Sequence, residues 1–236
     1  MRLYEITANS IPPNKFVPQE VPSAINVFDT GEHEMIGKGS FAKAFSDPQE
    51  PGTVRKIIGP ITRNWFLSDS YYKYVEMLAQ NDRFLSNPYF PKIYDVQVKS
   101  FDRNGREMYA YAVDMERLHD YKKGDAALSD EEAEIIGNMM FYDFDKQIRK
   151  GTQKTFGLAT ALMVLITDVF RETSRNKHNV MTKIKDPEFK KALLLLKNLR
   201  LKQEVRGSMA FDIHEGNIMI RRGRGIPHLV LTDPVV

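Results

Sequence analysis

The first half of the chain alternates apolar and polar residues in a way that predicts a small antiparallel sheet. The alternation is clearest in three runs, Val54–Ile58, Tyr94–Val98 and Met108–Val113. Asn104-Gly105, between the last two runs, is a strong signal for a type I′ hairpin turn. With a strand–turn–strand over 35–45 and one largely buried helix over 64–80, the pattern predicts five strands and a single helix in residues 35–115.

The second half of the chain has the apolar spacing of amphipathic helices. Ser129 and Glu132 form a capping box, which predicts a helix that runs to about Arg149. A second apolar stripe predicts a helix over 155–173. An Asp-Pro pair predicts the start of a third helix, over 186–206. Core packing is enough to explain the Leu and Met residues of all three helices.

Two short apolar runs near the end of the sequence, Ile218–Ile220 and His228–Leu231, predict a β-hairpin. The turn between them, Arg221–Gly225, is basic and contains glycine, and we expect it to be solvated. Strands that alternate early in the chain and helices that dominate later predict an α+β fold.

Composition excludes several classes of protein. The 236 residues include no Cys, so disulfides and thiolate chemistry are excluded, and 42% are hydrophobic, enough for a real core. We expect no membrane partner and a cytoplasmic location, because no apolar run approaches the roughly 18 residues of a membrane span. Residues 1–30 carry four of the twelve prolines, which predicts an extended N-terminal arm.

The net charge of +3 is unevenly distributed. Residues 171–206 contain eleven Lys/Arg and four Asp/Glu, a local charge of +7, so the remainder carries −4. A basic region of this kind is usually a solvated face, although it leaves a nucleic-acid or acidic partner open.

The candidate chemistry lies around the final hairpin. Asp212 and Asn217 are five residues apart, and the second hairpin strand leads into Asp233. A hairpin would bring Asn217 and Asp233 to one end, and oxygen ligands of this kind suit Mg²⁺. Asp212, just outside that pair, could take a proton from a hydroxyl. The alternative is a hairpin whose Asp and Asn cap turns.

The order Asp-x-x-x-x-Asn, hairpin, Asp resembles the metal-and-base half of the protein-kinase template. The spelling Asp212-Ile213-His214-Glu215-Gly216-Asn217 is similar to the Asp-x-His-x-Gly-Asn form of aminoglycoside and choline phosphotransferases. Together with Leu231-Thr232-Asp233-Pro234, it most closely resembles the early serine/threonine protein kinases of autographivirus-type short-tailed coliphages.

This resemblance implies roles for the C-terminal residues. Asp212 would be the catalytic base, and Asn217 and Asp233 would hold Mg²⁺. His214 would support the γ-phosphate, with a purely structural hydrogen bond as the alternative. Two departures stand out. Phe211 replaces the Arg that senses activation-loop phosphorylation. The sequence stops three residues after Asp233, so either substrate binding is reassigned or the sequence is truncated before an activation segment.

The resemblance also implies a nucleotide site in the earlier residues. Lys56 would bind the ATP phosphates; the alternative is an edge-strand lysine with its amine in water. Glu76 would orient Lys56; the alternative is a solvent-facing carboxylate. The backbone at Glu116 and Leu118 would contact adenine. The phosphate-covering loop would comprise Gly37, Gly39, Ser40 and Phe41, although Ala42 stands where kinases have a third glycine.

A bilobal protein-kinase-like fold follows from the resemblance, with an N-terminal arm (1–30), an N-lobe (31–115) and a short helical C-lobe (116–236). ATP and Mg²⁺ would be the cofactors. The implied activity is phosphorylation of Ser/Thr hydroxyls on host proteins of transcription and RNA processing, in the host cytoplasm during phage takeover. Two alternatives stay open: a small-molecule phosphotransferase, and a non-catalytic binding protein.

Overall fold

The computed structural model describes Phe28 and residues 33–38, 42–46, 48–124, 126–148, 150–171, 180–204, 215–223 and 225–233. The fold is α+β, as predicted, with an antiparallel five-stranded sheet, a three-stranded sheet and several helices. The chain divides into two compact units, Met1–Leu85 with Lys92–Arg117, and Ser86–Pro91 with Leu118–Val236. In the described ranges, none of the helices combines the length and apolar character that crossing a membrane requires.

The first unit is built on the five-stranded sheet, in the order β1-β2-β3-β5-β4. Its strands are Glu34–Lys38 (β1), Ala42–Ser46 (β2), Thr53–Thr62 (β3), Ile93–Arg103 (β4) and Arg106–Glu116 (β5). The predicted Asn104-Gly105 turn is confirmed, because both residues have the positive φ angles, 56° and 75°, that a type I′ turn requires.

The single helix predicted over 64–80 is wrong in one respect. The structure contains two helices, Arg63–Ser68 (α1) and Ser70–Gln80 (α2), followed by the short helix Asp82–Leu85 (α3). Asp69 separates α1 from α2 because its Oδ1 accepts the N–H of Tyr72 at 2.9 Å, and its Oδ2 accepts the hydroxyl of Tyr111 at 3.1 Å. An Asp that caps a helix in this way favours a new helix start over continuation.

Apolar packing holds this first unit together on both faces of its sheet. Tyr74, Val75 and Leu78 are buried on α2, which packs against β4. Ile57 alternates with its neighbours on β3 and so faces the other way, into a cluster with Phe28 and further apolar residues.

The second unit is mostly helical. Its helices are Asp130–Met140 (α4), Phe144–Gln147 (α5), Lys154–Arg171 (α6) and Pro187–Glu204 (α7). Its small sheet has the order β6-β7-β8, formed by His119–Asp120 (β6), Ile218–Arg221 (β7) and His228–Leu231 (β8). The capping box of Ser129 and Glu132 is present as predicted, and Asp186 Oδ1 accepts the N–H of Glu188 at 2.7 Å at the start of α7.

The helix predicted from Ser129 to about Arg149 is wrong beyond Met140. Phe141 leaves the helix and forms an isolated β-bridge with Ile184. The chain then folds back so that the Phe144 ring packs on Gly137, where an added Cβ would lie 2.3 Å from the ring. This close approach requires glycine inside α4 and ends the helix earlier than its apolar spacing suggests.

Candidate functional site

The β7–β8 hairpin is present as predicted and brings two candidate metal ligands to one end. Ile218 pairs with Leu231, and the ladder continues for one more residue because both the N–H and the hydroxyl of Thr232 donate to the carbonyl of Asn217, at 3.0 and 3.2 Å. Asp233 is the next residue along the chain. Asn217 ends the 3-10 turn Glu215–Asn217 directly before β7, and Asp233 lies two residues beyond β8, so both are at the same end of the hairpin.

These two residues fit the ligand preferences of Mg²⁺. An amide oxygen and a carboxylate are hard oxygen donors, and Mg²⁺ takes few protein ligands and keeps substrate oxygens and waters for the rest. In the described residues there is no group of three or more His, Cys, Asp or Glu that could hold a metal. The predicted base Asp212 and its neighbour His214 lie outside the described residues.

The basic turn at the tip of the hairpin is only partly solvated: Gly223 and Gly225 are exposed, as expected, but Arg222 is bonded to the protein. Arg222 donates to the carbonyls of Ala126 and Ala127, at 3.0 and 2.7 Å, and pairs with the carboxylate of Glu132. The hydrogen bond from Arg222, with a second from the Ser129 N–H, holds the pKa of Glu132 below its usual value. Arg222 thus fixes the start of α4 to the hairpin.

Arg221 is engaged on a different segment, Ser86–Pro91. Its two guanidinium nitrogens donate to the carbonyls of Pro88 and Phe90, at 2.8 and 2.9 Å. Arg221 was not identified from the sequence as a contact of this segment. The sequence gives little sign of these contacts, because the acceptors of the Arg221 hydrogen bonds are backbone carbonyls, which every residue carries.

Lys56 lies on a central strand of the first unit. It pairs with Ala44 on β2 and with Val113 on β5, so the alternative of an edge-strand lysine is wrong. Its side chain is partly buried, and its Nζ lies 3.7 Å from the centroid of the Tyr71 ring. At that distance the ring face attracts the ammonium group, an interaction worth about 0.5–2 kcal/mol.

Tyr71 is a site residue that the sequence reasoning missed. Its hydroxyl donates to the sulfur of Met115 at 3.9 Å, so one buried ring contacts both the candidate phosphate-binding lysine and the end of β5. The aromatic run over 64–80 contained the signal, but the residues in it were assigned to core packing.

Glu76 is partly buried on α2, beside Tyr72 and Gln80. Burial raises the pKa of Glu76, and a hydrogen bond with Gln80 opposes that rise. Burial and the neighbouring Glu76 charge raise the pKa of Tyr72 to about 12. At 3.6 residues per turn, Glu76 is rotated by roughly 140° around the helix from Tyr71. The ion pair between Glu76 and Lys56 stays a prediction.

The structure describes only some of the other residues that are predicted to bind the nucleotide. Gly37 lies within β1, opposite Ala44, and a Cβ there would meet Ala44 at an ordinary 3.7 Å, so packing does not require glycine. Gly39, Ser40 and Phe41 lie outside the described residues.

At the predicted adenine contact, Glu116 ends β5 and is buried. Its N–H donates to the carbonyl of Lys92 at 3.0 Å, and its carboxylate accepts the Lys92 N–H at 2.8 Å. An adenine contact at Glu116 would therefore use a backbone group other than this N–H. Leu118 is buried and begins the second unit's main segment.

Part of the basic region over 171–206 is used internally. Lys185 and Lys197 donate to the carbonyls of Asn138 and Val169, at 3.1 and 3.0 Å. These contacts favour a structural role for those lysines. Residues 172–179 and 205–206, like the N-terminal arm apart from Phe28, lie outside the described residues.

No protein-family model matches this chain, and no curated protein is detectably similar to it.

Proposed function

We propose that this protein transfers the γ-phosphoryl group of ATP to Ser/Thr hydroxyls of proteins, on a bilobal protein-kinase-like fold. The observation that carries the proposal is the hairpin register, which brings Asn217 and Asp233 to the same end of the hairpin. The Asp212-x-His214-x-Gly-Asn217 spelling and the central-strand position of Lys56 support it.

In the proposed mechanism each side chain has one task. Asn217 and Asp233 would hold Mg²⁺, which neutralises charge on the phosphate oxygens during transfer. Lys56, whose ammonium group lies over the Tyr71 ring, would bind the α- and β-phosphates of ATP. Asp212 would orient the acceptor hydroxyl and take its proton as the oxygen attacks the γ-phosphorus and the bond to the β-phosphate oxygen breaks.

The choice of a protein acceptor rests on the resemblance to phage early kinases, whose targets would be host transcription and RNA-processing proteins. A small-molecule phosphotransferase is the second candidate. The His and Gly of the Asp-x-His-x-Gly-Asn spelling favour it.

Radiolabel transfer in a bacterial lysate tests the proposal. Wild-type protein with γ-labelled ATP is expected to label lysate proteins on Ser and Thr, and Asp233→Ala is expected to abolish the labelling. Asp82→Ala, which removes an exposed carboxylate from the first unit, is the matched control and should label normally. ATP consumption without labelled protein would favour the small-molecule reaction, and failure to bind magnesium-nucleotide would favour a non-catalytic binding protein.

A further inference from the structure

Three consecutive backbone carbonyls of the second unit are bonded to the β7–β8 hairpin. The guanidinium of Arg221 bridges the carbonyls of Pro88 and Phe90, at 2.8 and 2.9 Å. Between them, the carbonyl of Tyr89 accepts the N–H of Leu231 at 2.8 Å. Segment 88–90 therefore contacts the hairpin through Arg221 on β7 and Leu231 on β8.

The same segment is itself fixed by its side chains. Tyr89 is buried, and its hydroxyl donates to Asp186 Oδ2 at 2.7 Å, the carboxylate that caps α7. Burial, followed by the bond to Asp186, raises the pKa of Tyr89, so this hydroxyl stays a donor at neutral pH. Asn87, also buried, donates to the carbonyl of Glu188 at 2.9 Å and accepts the Tyr89 N–H at 2.9 Å.

This anchoring acts close to the candidate metal site. Leu231 is two residues before Asp233, and β8 has only four residues, too few to fix its own position by pairing alone. Strand β8 is bonded to β7 on one edge and to Tyr89 on the other. The position at which the strand delivers Asp233 depends on both edges.

We propose that Arg221 is a positioning residue for divalent-metal binding at Asn217 and Asp233, an inference that rests on the proposed function. Arg221 fixes segment 88–90 against the hairpin, and segment 88–90 in turn holds Leu231 and the residues that follow it. A guanidinium can donate to two separate carbonyls from one plane, whereas an ammonium cannot reproduce that geometry. Replacing a residue that hydrogen-bonds directly to a metal ligand typically changes metal affinity by about 10–100-fold, and because Arg221 acts through segment 88–90 we expect the lower end of that range.

Binding of Mn²⁺, measured by electron paramagnetic resonance with a non-hydrolysable ATP analogue present, tests the inference. Arg221→Lys is expected to raise the Mn²⁺ dissociation constant about 10-fold. Hydrogen exchange at the Leu231 amide is expected to accelerate in the same variant. Arg222→Lys is the matched control, because it also removes a guanidinium that donates to two backbone carbonyls, in this case those of Ala126 and Ala127. The Mn²⁺ affinity of this variant should stay within about 2-fold of wild type.

The outcomes separate this inference from the proposed function. If wild type binds Mn²⁺ and both arginine variants bind it equally well, or weaken equally, Arg221 has no specific positioning role. If wild type binds no Mn²⁺, the proposed function and the inference both fail. Tyr89→Phe is a milder second variant, which keeps the ring and removes the hydrogen bond to Asp186. A Mn²⁺ dissociation constant between those of wild type and Arg221→Lys would support the inference. A dissociation constant equal to that of wild type would contradict the role of segment 88–90.

Discussion

The sheet that carries Lys56 and the hairpin that carries Asn217 and Asp233 hold charged side chains by different means. Strands β3 and β5 have ten and eleven residues and are covered by buried apolar groups, and Lys56 on β3 contacts the Tyr71 ring. Strands β7 and β8 have four residues each. This hairpin is held by its buried apolar residues, such as Ile220 and Val230, and also by hydrogen bonds from arginine side chains to backbone carbonyls.

The difference shows how strand length decides the kind of support a candidate site requires. A long central strand is fixed by its ladder and by buried area, so its polar neighbours can vary. A short hairpin has a short ladder, so although its apolar residues are buried, each hydrogen bond to its edges carries a larger share of its position. We therefore expect the first unit to be sensitive to cavities, and the hairpin to be sensitive to lost donors.

The largest expected effect is on turnover. Asp212→Ala should lower turnover by roughly 10²–10⁴, because a positioned base contributes about that much. The melting temperature should stay near that of wild type. Steady-state phosphorylation and thermal unfolding measure the two quantities. Turnover like that of wild type would remove Asp212 from the mechanism.

The next effect is on the stability of the first unit. Leu78→Ala, at a fully buried position on α2, should lower the free energy of unfolding by about 2–5 kcal/mol through lost transfer energy and the cavity left behind. Leu194→Ala is the control because that residue is 49% exposed. Urea unfolding compares the two variants. Equal losses of stability would mean that packing at Leu78 is no more important than packing at an exposed position.

A smaller loss, about 1–3 kcal/mol, is expected for Arg222→Met in the second unit, because the partners of its guanidinium lose their donors. The pKa of Glu132 is lowered in the folded state, so its contribution is present above the ordinary value of 4.5 and is lost as pH falls below it. The difference between wild type and variant should therefore shrink in acid. Unfolding measured from pH 7 down to pH 3 tests this; a constant difference would show that the pair does not depend on the Glu132 charge.

The smallest effect concerns Glu76→Gln. Because burial raises the pKa of Glu76, its ionised form costs stability as pH rises above the ordinary 4.5, and an amide avoids that cost. The variant should be slightly more stable than wild type at pH 7 and equal to it at pH 4, by urea unfolding. A loss of stability at pH 7 would instead indicate a favourable partner for the carboxylate, such as Lys56.

Local patterns predicted most of the elements because their causes are local. The Asn104-Gly105 turn, the Ser129 cap and the alternation in β3 each depend on residues a few positions apart. The break at Asp69 was also local, but the aromatic run around it suggested one continuous helix. A capping Asp beside two serines was the signal that could have found it.

The remaining features depend on contacts between distant parts of the chain. Phe141 lies outside the helix because it pairs with Ile184. Arg221 is partly buried because it donates to carbonyls more than 130 positions earlier in the chain. An arginine carries no local sign of which carbonyl it will bind. For the same reason the motif spelling suggested Asn217 and Asp233 as candidate ligands but gave no indication of Tyr71 or of segment 88–90.

The route of segment 86–91 has a practical consequence for dissecting the protein. These six residues belong to the second unit although the residues on either side of them belong to the first. A fragment ending at Arg117 would carry Tyr89 and Phe90 without their partners, exposing two large rings that are buried in the intact chain. A fragment beginning at Leu118 would leave Arg221 without the acceptors at Pro88 and Phe90. Either fragment expressed alone should therefore aggregate. Adding a synthetic peptide of residues 86–91 to the C-terminal fragment should reduce its aggregation by restoring the missing contacts.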